Sequence, residues 1–360
     1  MLELPGFGLE SLARFSGQEV ASLKSLQVFF QALHDLGKFA RGFQNLVRLD
    51  DPSLVAHNPG YCYGGDMRHD TLGWLLWHSD IKAALVDSPL PNPDSEGWEN
   101  WLRAVTGHHG EPPREMVNGN LPLLSLKPRY FHPDDGPAAA LFAQDVARLL
   151  LPPDLPPPNK ALRKAIKAHS WCLAGLTVLA DWLGSQEQHF PYQNQPMALA
   201  DYWRDYALPG AARALAASGL SAPPIRPYLS SRDLCLYLTK PTPLQNWADS
   251  VPIPAQPQLF ILEDVTGAGK TEAALILAQR LMTNGQGRGL YFALPTMATS
   301  NQMYQRVGEL YRHFFQAESL PNLVLAHGAR QLSDAFAASL LPIHAGQSQY
   351  QPGESAAGAA

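Results

Sequence analysis

Six side chains in the first half of the chain are of the kinds that hold divalent ions. They are His34 and Asp35 in ALHDLGK, His69 in MRHDTLG, His108 and His109 in TGHHGEPP, and Asp181 in LADWLGS. Imidazole nitrogen and carboxylate oxygen together suit iron, manganese, nickel, cobalt or zinc, and a carboxylate can bridge two ions, so the set predicts a two-metal site. Two ions about 3.5–4 Å apart activate water and stabilise the leaving oxygen of a phosphodiester, which is the chemistry expected here. One histidine alone, or one His-Asp pair, is ordinarily a surface or core residue. Their joint occurrence in this order carries the reading.

A second chemistry follows beyond a proline-rich stretch. Thr266-Gly267-Ala268-Gly269-Lys270-Thr271 comes after a short apolar run and before a helical pattern. Such a loop closes backbone N–H groups around phosphates at a helix mouth, with lysine reaching the β and γ groups and threonine holding magnesium. ATP with magnesium is the expected ligand. Asp264 stands at the first position of the strict pattern, where glycine or alanine is usual.

The elements that must position these residues are helical in the first half. Val20, Leu23, Leu26, Phe30, Leu33 and Leu36 recur at three- and four-residue steps, predicting an amphipathic helix within Gln18 to Val47 that carries His34 and Asp35 near its end, with Gly37 loosening or ending it. His69 opens a second helical run, and a third begins near Asn100 and stops at Gly107, before Pro112 and Pro113. The longest signal, Ala161 to Leu183, delivers Asp181 near its C-terminal end. Lys160, Arg163, Lys164 and Lys167 read as a solvated face of that helix. Trp74, Trp77, Trp171 and Trp182 read as core rather than as base-stacking platforms.

The pattern then changes. Leu259–Leu262, Leu290–Leu294 and Leu323–Ala326 are short apolar runs separated by helical stretches at Lys270 to Met282 and Asn301 to Phe315, the rhythm of a parallel sheet wound with helices. The predicted organisation is a mainly α domain over 1–205, a proline-rich linker over 206–235, a partial α/β P-loop domain over 236–345 and a disordered tail over 346–360.

Composition narrows the partners. The 360 residues carry 27 basic and 32 acidic side chains, a net charge of −5, so any nucleic-acid contact must be a local groove rather than a general attraction. Cys62, Cys172 and Cys235 are widely spaced, which predicts neither a disulfide framework nor a cysteine zinc site and fits a reducing, cytoplasmic setting. No leader pattern and no run of 18 apolar residues is present, so no membrane partner is expected.

HDLGKFARGFQ, RHDTLG, GHHG and LADWLGS, in that order over roughly residues 20–190, resemble the HD phosphohydrolase superfamily. Within it they are most similar to the HD nuclease domain of the type I CRISPR-associated helicase-nuclease. EDVTGAGKTEAAL and ALPTMATSNQMY resemble the superfamily 2 helicase part of the same family, subtype I-E. The resemblance implies an HD-domain helical bundle followed by a partial RecA-like domain. It implies His34, Asp35, His69, His108, His109 and Asp181 as ligands of manganese, iron, nickel, cobalt or magnesium, with Asp35 as the bridge and Lys38 beside the phosphate. Gln245 in PLQ resembles the glutamine that reads adenine, and Thr266, Gly267, Gly269, Lys270 and Thr271 would hold ATP. Pro295, Thr296 and Thr299 resemble a segment touching the strand backbone, and LAHG at Leu325–Gly328 resembles the next. The implied activity is metal-dependent cutting of single-stranded DNA in antiviral defence, on a target opened by a Cascade-like surveillance complex. The family supplies a further ligand from a histidine upstream of the His-Asp pair, whereas none precedes His34 here, so one metal position is expected to be incomplete. No acidic-pair strand follows His327, so only the opening part of a helicase is expected. An HD phosphohydrolase acting on nucleotides, or an inactive remnant that binds a partner complex, are the alternatives.

Overall fold

In the computed structural model the described residues are 9–46, 57–61, 63, 67–114, 116–117, 121–193, 195–220, 223–317, 319 and 321–325. The chain divides into two compact units, Met1–Ser218 and Gly219–Ala360. The divide falls inside the stretch expected to be a linker, which is not a free connector. Its first part forms a helix whose Pro209 sits in the first turn, where a missing N–H costs nothing, and its last part, with Leu234 and Cys235 buried, belongs to the core of the second unit. The predicted tail at 346–360, and Ala326 to Gly328, lie outside the described residues.

The first unit is helical. Its principal elements are α1 (Leu9–Ser16), α2 (Val20–Ala32), α3 (His69–Leu76), α4 (Glu96–Thr106), α5 (Asp135–Leu150), α6 (Lys160–Gly184) and α7 (Leu208–Ala217). The only strands among the described residues are a two-residue antiparallel pair, Met116–Val117 with Leu121–Pro122. Aromatic residues from three segments meet at the centre. Phe30 of α2 stacks on Trp101 of α4 at 5.6 Å and tilts against Trp98 and against Trp77, which follows α3. Each ring of this size removes about 150–250 Å² from water, so the cluster dominates the local core. Trp101 resolves its one polar atom by donating from Nε1 to the buried Oε1 of Gln27 at 2.8 Å.

α6 starts where Asn159 accepts a hydrogen bond from the Leu162 N–H at 2.8 Å, an N-cap of the expected type. It buries Leu162, Ala165, Ile166, Leu173 and Leu176 against the bundle, as the stripe predicts. Its other face is open, and there the core expectation for two tryptophans fails. Trp171 is 81% and Trp182 65% exposed, whereas Trp74 and Trp77 are buried as expected. The reason is helical phase, since 171 and 182 fall on the side opposite the 162–166–173–176 stripe.

The second unit contains α8 (Pro243–Ser250), α9 (Lys270–Thr283) and α10 (Met297–Arg312). The runs at 259–262, 290–294 and 323–325 have no regular secondary structure and form no strand ladder among the described residues, so the expected parallel sheet is not seen. Their side chains do alternate. Phe260, Leu262, Leu290 and Phe292 pack inward on the helices, while Leu259, Ile261, Tyr291 and Val324 are exposed.

Candidate metal centre

The end of α2 decides where His34 and Asp35 go. Rather than continuing, the helix closes at Ala32, and after a turn the chain enters a tight 3₁₀ segment, Leu36–Phe39. Gly37 explains the break. A Cβ on it would lie 1.8 Å from the backbone oxygen of His69 and 2.8 Å from the Gly73 nitrogen, so only glycine lets this turn seat directly on α3. The predicted helix therefore stops short of His34. The contact that replaces it brings Asp35 to His69.

All six candidate ligands converge. His34 and His108 contact edge to face at 4.8 Å between ring centres, His108 and His109 lie 4.0 Å apart, and His69 faces His109 with its Nε2 2.8 Å from the other Nε2. Asp35 sits between two groups of imidazoles, with Oδ1 3.3 Å from His69 Nε2 and Oδ2 3.2 Å from His34 Nε2. Asp181, delivered by the last turns of α6, reaches within 3.6 Å of His34 Nε2. Two overlapping sets have donor atoms close enough to share an ion: His69, His108 and His109, and His34, Asp35 and His108. Lys38 Nζ lies 2.6 Å from Asp35 Oδ2 and is 43% exposed, placing a cation at the solvent side of the cluster.

The electrostatics are those of a site arranged for positive charge. Burial opposes ionisation of Asp35, but His34, His69 and Lys38 overcome it and hold the carboxyl far below its usual range. Burial likewise opposes protonation of His34, yet the Asp181 and Asp35 carboxylates push it up to about 10. His109 moves the other way, down to about 3, through burial and its histidine neighbours, and burial with the charge of His34 lowers His108. For Asp181 burial again opposes, and the contact with His34 prevails and lowers it. His34 Nε2 and Asp35 Oδ1 are nevertheless buried without a directed hydrogen bond, and buried polar atoms are rarely left that way. A nitrogen and an oxygen lone pair facing the same space suit a shared cation. The donor set of imidazole and carboxylate fits divalent transition metals.

Two features of the centre were not signalled by sequence pattern. One is the close approach of Gly37, which the glycine of HDLGK hinted at only as a helix end. The other is Tyr63, whose phenol oxygen lies 3.2 Å from His69 Nδ1 and for which the sequence carries no signal.

The second unit assembles its loop residues as a separate feature. Gly267 and Gly269 have φ of 87° and 80°, conformations that favour glycine, and the loop between them leads into α9 at Lys270 and Thr271. Lys270 Nζ donates to the carbonyls of Asp264 and Val265 at 2.7 and 2.8 Å, folding its cation over the loop next to Thr266. Gln245 is buried beneath this loop. Its Oε1 accepts from the Thr242 N–H at 2.9 Å in a capping box that opens α8, and Thr242 Oγ1 donates to the Ala268 carbonyl at 2.9 Å. Glu272, in the first turn of α9 and also unflagged by sequence pattern, is buried yet lowered. Burial opposes this, and Arg306 Nη2 at 2.6 Å with the Tyr237 hydroxyl at 3.0 Å outweighs it.

Comparison with known proteins follows this division. The family described as "Cas3, HD domain" matches residues 6–190. The CRISPR-associated endonuclease/helicase Cas3 of Escherichia coli is 31% identical over 342 residues, covering 87% of this chain and 36% of the relative. That of Thermus thermophilus is 31% identical over 321 residues, covering 86% and 32%. The chain thus spans about a third of the length of the curated relatives it matches. Among solved structures, a CRISPR-associated protein superposes with a TM-score of 0.62 at 28% identity, covering 87% of this chain and 34% of the other. T. fusca Cas3 with AMPPNP gives 0.61 at 24%, covering 92% and 36%, and a CRISPR RNA-guided surveillance complex in a pre-nicking state gives 0.51 at 23%, covering 85% and 34%. The match spans the helices that carry every candidate ligand from His34 to Asp181, and on it the chain belongs to the Cas3 HD-domain family of CRISPR-associated nuclease-helicases.

Proposed function

We propose that this chain is a divalent-metal-dependent nuclease acting on single-stranded DNA in the cytoplasm, joined to an ATP-binding helicase segment and working on DNA opened by a Cascade-like surveillance complex. The observation that carries the reading is the convergence of His34, Asp35, His69, His108, His109 and Asp181 from four separate segments on one partly buried spot. Such side chains are costly to gather without a cation to share. His69, His108 and His109 would hold one ion, and His34 and Asp181 would contribute to a second, with Asp35 close enough to both groups to be shared. Divalent ions so held supply a nucleophile at neutral pH and stabilise the departing oxygen of a phosphodiester.

The chain's own groups do the rest. Nδ1 of His34 and of His108 donates to the Gln31 and Val105 carbonyls at 2.6 and 3.0 Å, which leaves each Nε2 as the nitrogen that would ligate, His34 after losing its Nε2 proton. Lys38, partly exposed beside Asp35, offers its ammonium to the incoming phosphate. In the second unit Thr266, Gly267, Gly269, Lys270 and Thr271 would cradle ATP with magnesium, and Gln245 holds the loop from beneath. The relatives' names as CRISPR-associated endonuclease/helicases support the CRISPR role, and the neighbour solved within an RNA-guided surveillance complex supports the partner.

Incubation with manganese, cobalt, nickel or iron is expected to let the purified chain degrade circular single-stranded DNA. EDTA and Asp35→Ala should each abolish the activity, with the variant's helical circular dichroism unchanged. Turnover of free nucleotides in place of DNA would move the assignment to a nucleotide phosphohydrolase. No turnover with any of these ions would end the enzymatic reading.

A further inference from the structure

We propose that Tyr63 is a positioning residue of the metal centre, acting through His69; the inference rests on the metal-binding reading above. An imidazole that offers Nε2 to an ion must carry its proton on Nδ1, and that proton needs an acceptor to hold the ring's orientation. His34 and His108 solve this locally. Each lies just past the C-terminal end of a helix, where the carbonyl three residues back, of Gln31 or Val105, takes the Nδ1 proton.

His69 is placed differently. It is the first residue of α3, and Arg68 before it is extended, so the helix-end arrangement of His34 and His108 does not apply. The oxygen that takes this place belongs to the phenol of Tyr63, 3.2 Å from Nδ1. The same oxygen accepts the His69 backbone N–H at 3.2 Å, one of the groups for which a helix start provides no intrahelical acceptor. One atom therefore caps the helix and orients the ligand it begins with. The phenol is fixed in turn. Its ring meets Phe43 edge to face at 5.0 Å, and Phe43 meets the His69 ring edge to face at 5.7 Å, so the three aromatics pack on one another.

The rival arrangement is close at hand. Asp35 Oδ1 and His109 Nε2 lie 3.3 and 2.8 Å from His69 Nε2, and a proton on that nitrogen would satisfy either one. In that tautomer His69 Nε2 is a hydrogen-bond donor and not a ligand atom. Removing the Tyr63 oxygen takes away an acceptor that favours the ligand tautomer, while the ring packing stays.

The test uses the full chain and cobalt(II), whose visible absorption reports its ligands. Tyr63→Phe is expected to weaken cobalt binding about 10–100-fold, as loss of a partner behind a ligating histidine does, and to alter the absorption bands. A role limited to packing would lower the unfolding midpoint and leave affinity and spectrum of the folded protein unmoved. Equal cobalt affinity and identical bands in wild type and Tyr63→Phe overturn the proposal and leave the metal centre intact. Wild type and Asp35→Ala that bind cobalt alike, or not at all, remove the metal reading itself. Should Tyr63→Phe fold poorly, ¹⁵N NMR of the zinc-loaded wild type decides alone, with His69 assigned by His69→Gln. An Nδ1-protonated, Nε2-ligated ring supports the proposal, and ligation through Nδ1 overturns it.

Discussion

Gly37→Ala tests whether the seating of one turn on one helix builds the centre. The added methyl would sit 1.8 Å from the His69 oxygen and 2.6 Å from its carbon. Real Cβ atoms do not come closer than 3.0 Å, so the Leu36–Phe39 turn and α3 must separate by more than ~1 Å. Overpacking a core costs about 1–3 kcal/mol. The blocking atoms here are backbone atoms that cannot rotate aside, which places this case near the upper end, at about 3 kcal/mol. At about 2–4 °C per kcal/mol for a unit of roughly 200 residues, the melting temperature should fall by about 6–12 °C. The function should fall further than the stability. Asp35 precedes this turn and His69 opens α3, so the same displacement parts two ligands, and a 1 Å misplacement costs about 10²-fold in rate. Circular dichroism melts, cobalt titration and single-stranded DNA degradation measured on Gly37→Ala report the three effects. Gly175→Ala is the control: its Cβ would meet nothing within 4 Å on an open face of α6, and it should gain about 0.5–1 kcal/mol. A Gly37→Ala protein that melts within about 2 °C of wild type and binds cobalt equally well would refute the reasoning.

Other perturbations follow from the same contacts. Gln27→Leu leaves the buried Trp101 indole N–H without its acceptor and should cost about 1–3 kcal/mol in urea unfolding; no change would mean the bond contributes nothing net. His34 is raised from 6.5 to about 10, so its contribution to the metal-free fold is complete below pH 6.5 and is lost as pH climbs toward 10. The EDTA-treated wild type should therefore lose more stability than His34→Gln across that window. Metal affinity should rise over the same range, because the ion must displace the His34 proton. Trp171→Ala, at an 81% exposed position, should change stability by no more than about 0.5 kcal/mol, whereas Trp77→Ala, fully buried, should cost about 3–5 kcal/mol.

The candidate chemistry could be framed from the sequence because donor type is a property of the residue. His34, Asp35, His69, His108, His109 and Asp181 suggest ligands through their joint occurrence, and the Gly267–Thr271 loop suggests its turn through glycines that favour the required φ. Helix positions were legible from periodicity, with α6 recovered nearly end to end and α3 and α4 opening close to where the signals predict. Tertiary packing decided what periodicity cannot encode. Leu33 and Leu36 continue the helical stripe of α2, yet the helix stops at Ala32 because the chain turns to seat Gly37 on the backbone of His69, a contact across sequence that no local window contains. Trp171 and Trp182 read as core by composition and lie exposed, because burial depends on which face of α6 meets the bundle. The apolar runs of the second unit carry the alternation of strands but no ladder, since pairing belongs to neighbouring segments and not to any one of them. Tyr63 gave no signal at all: its contacts arise because α3 begins beneath its hydroxyl, placing the His69 N–H and Nδ1 at one oxygen.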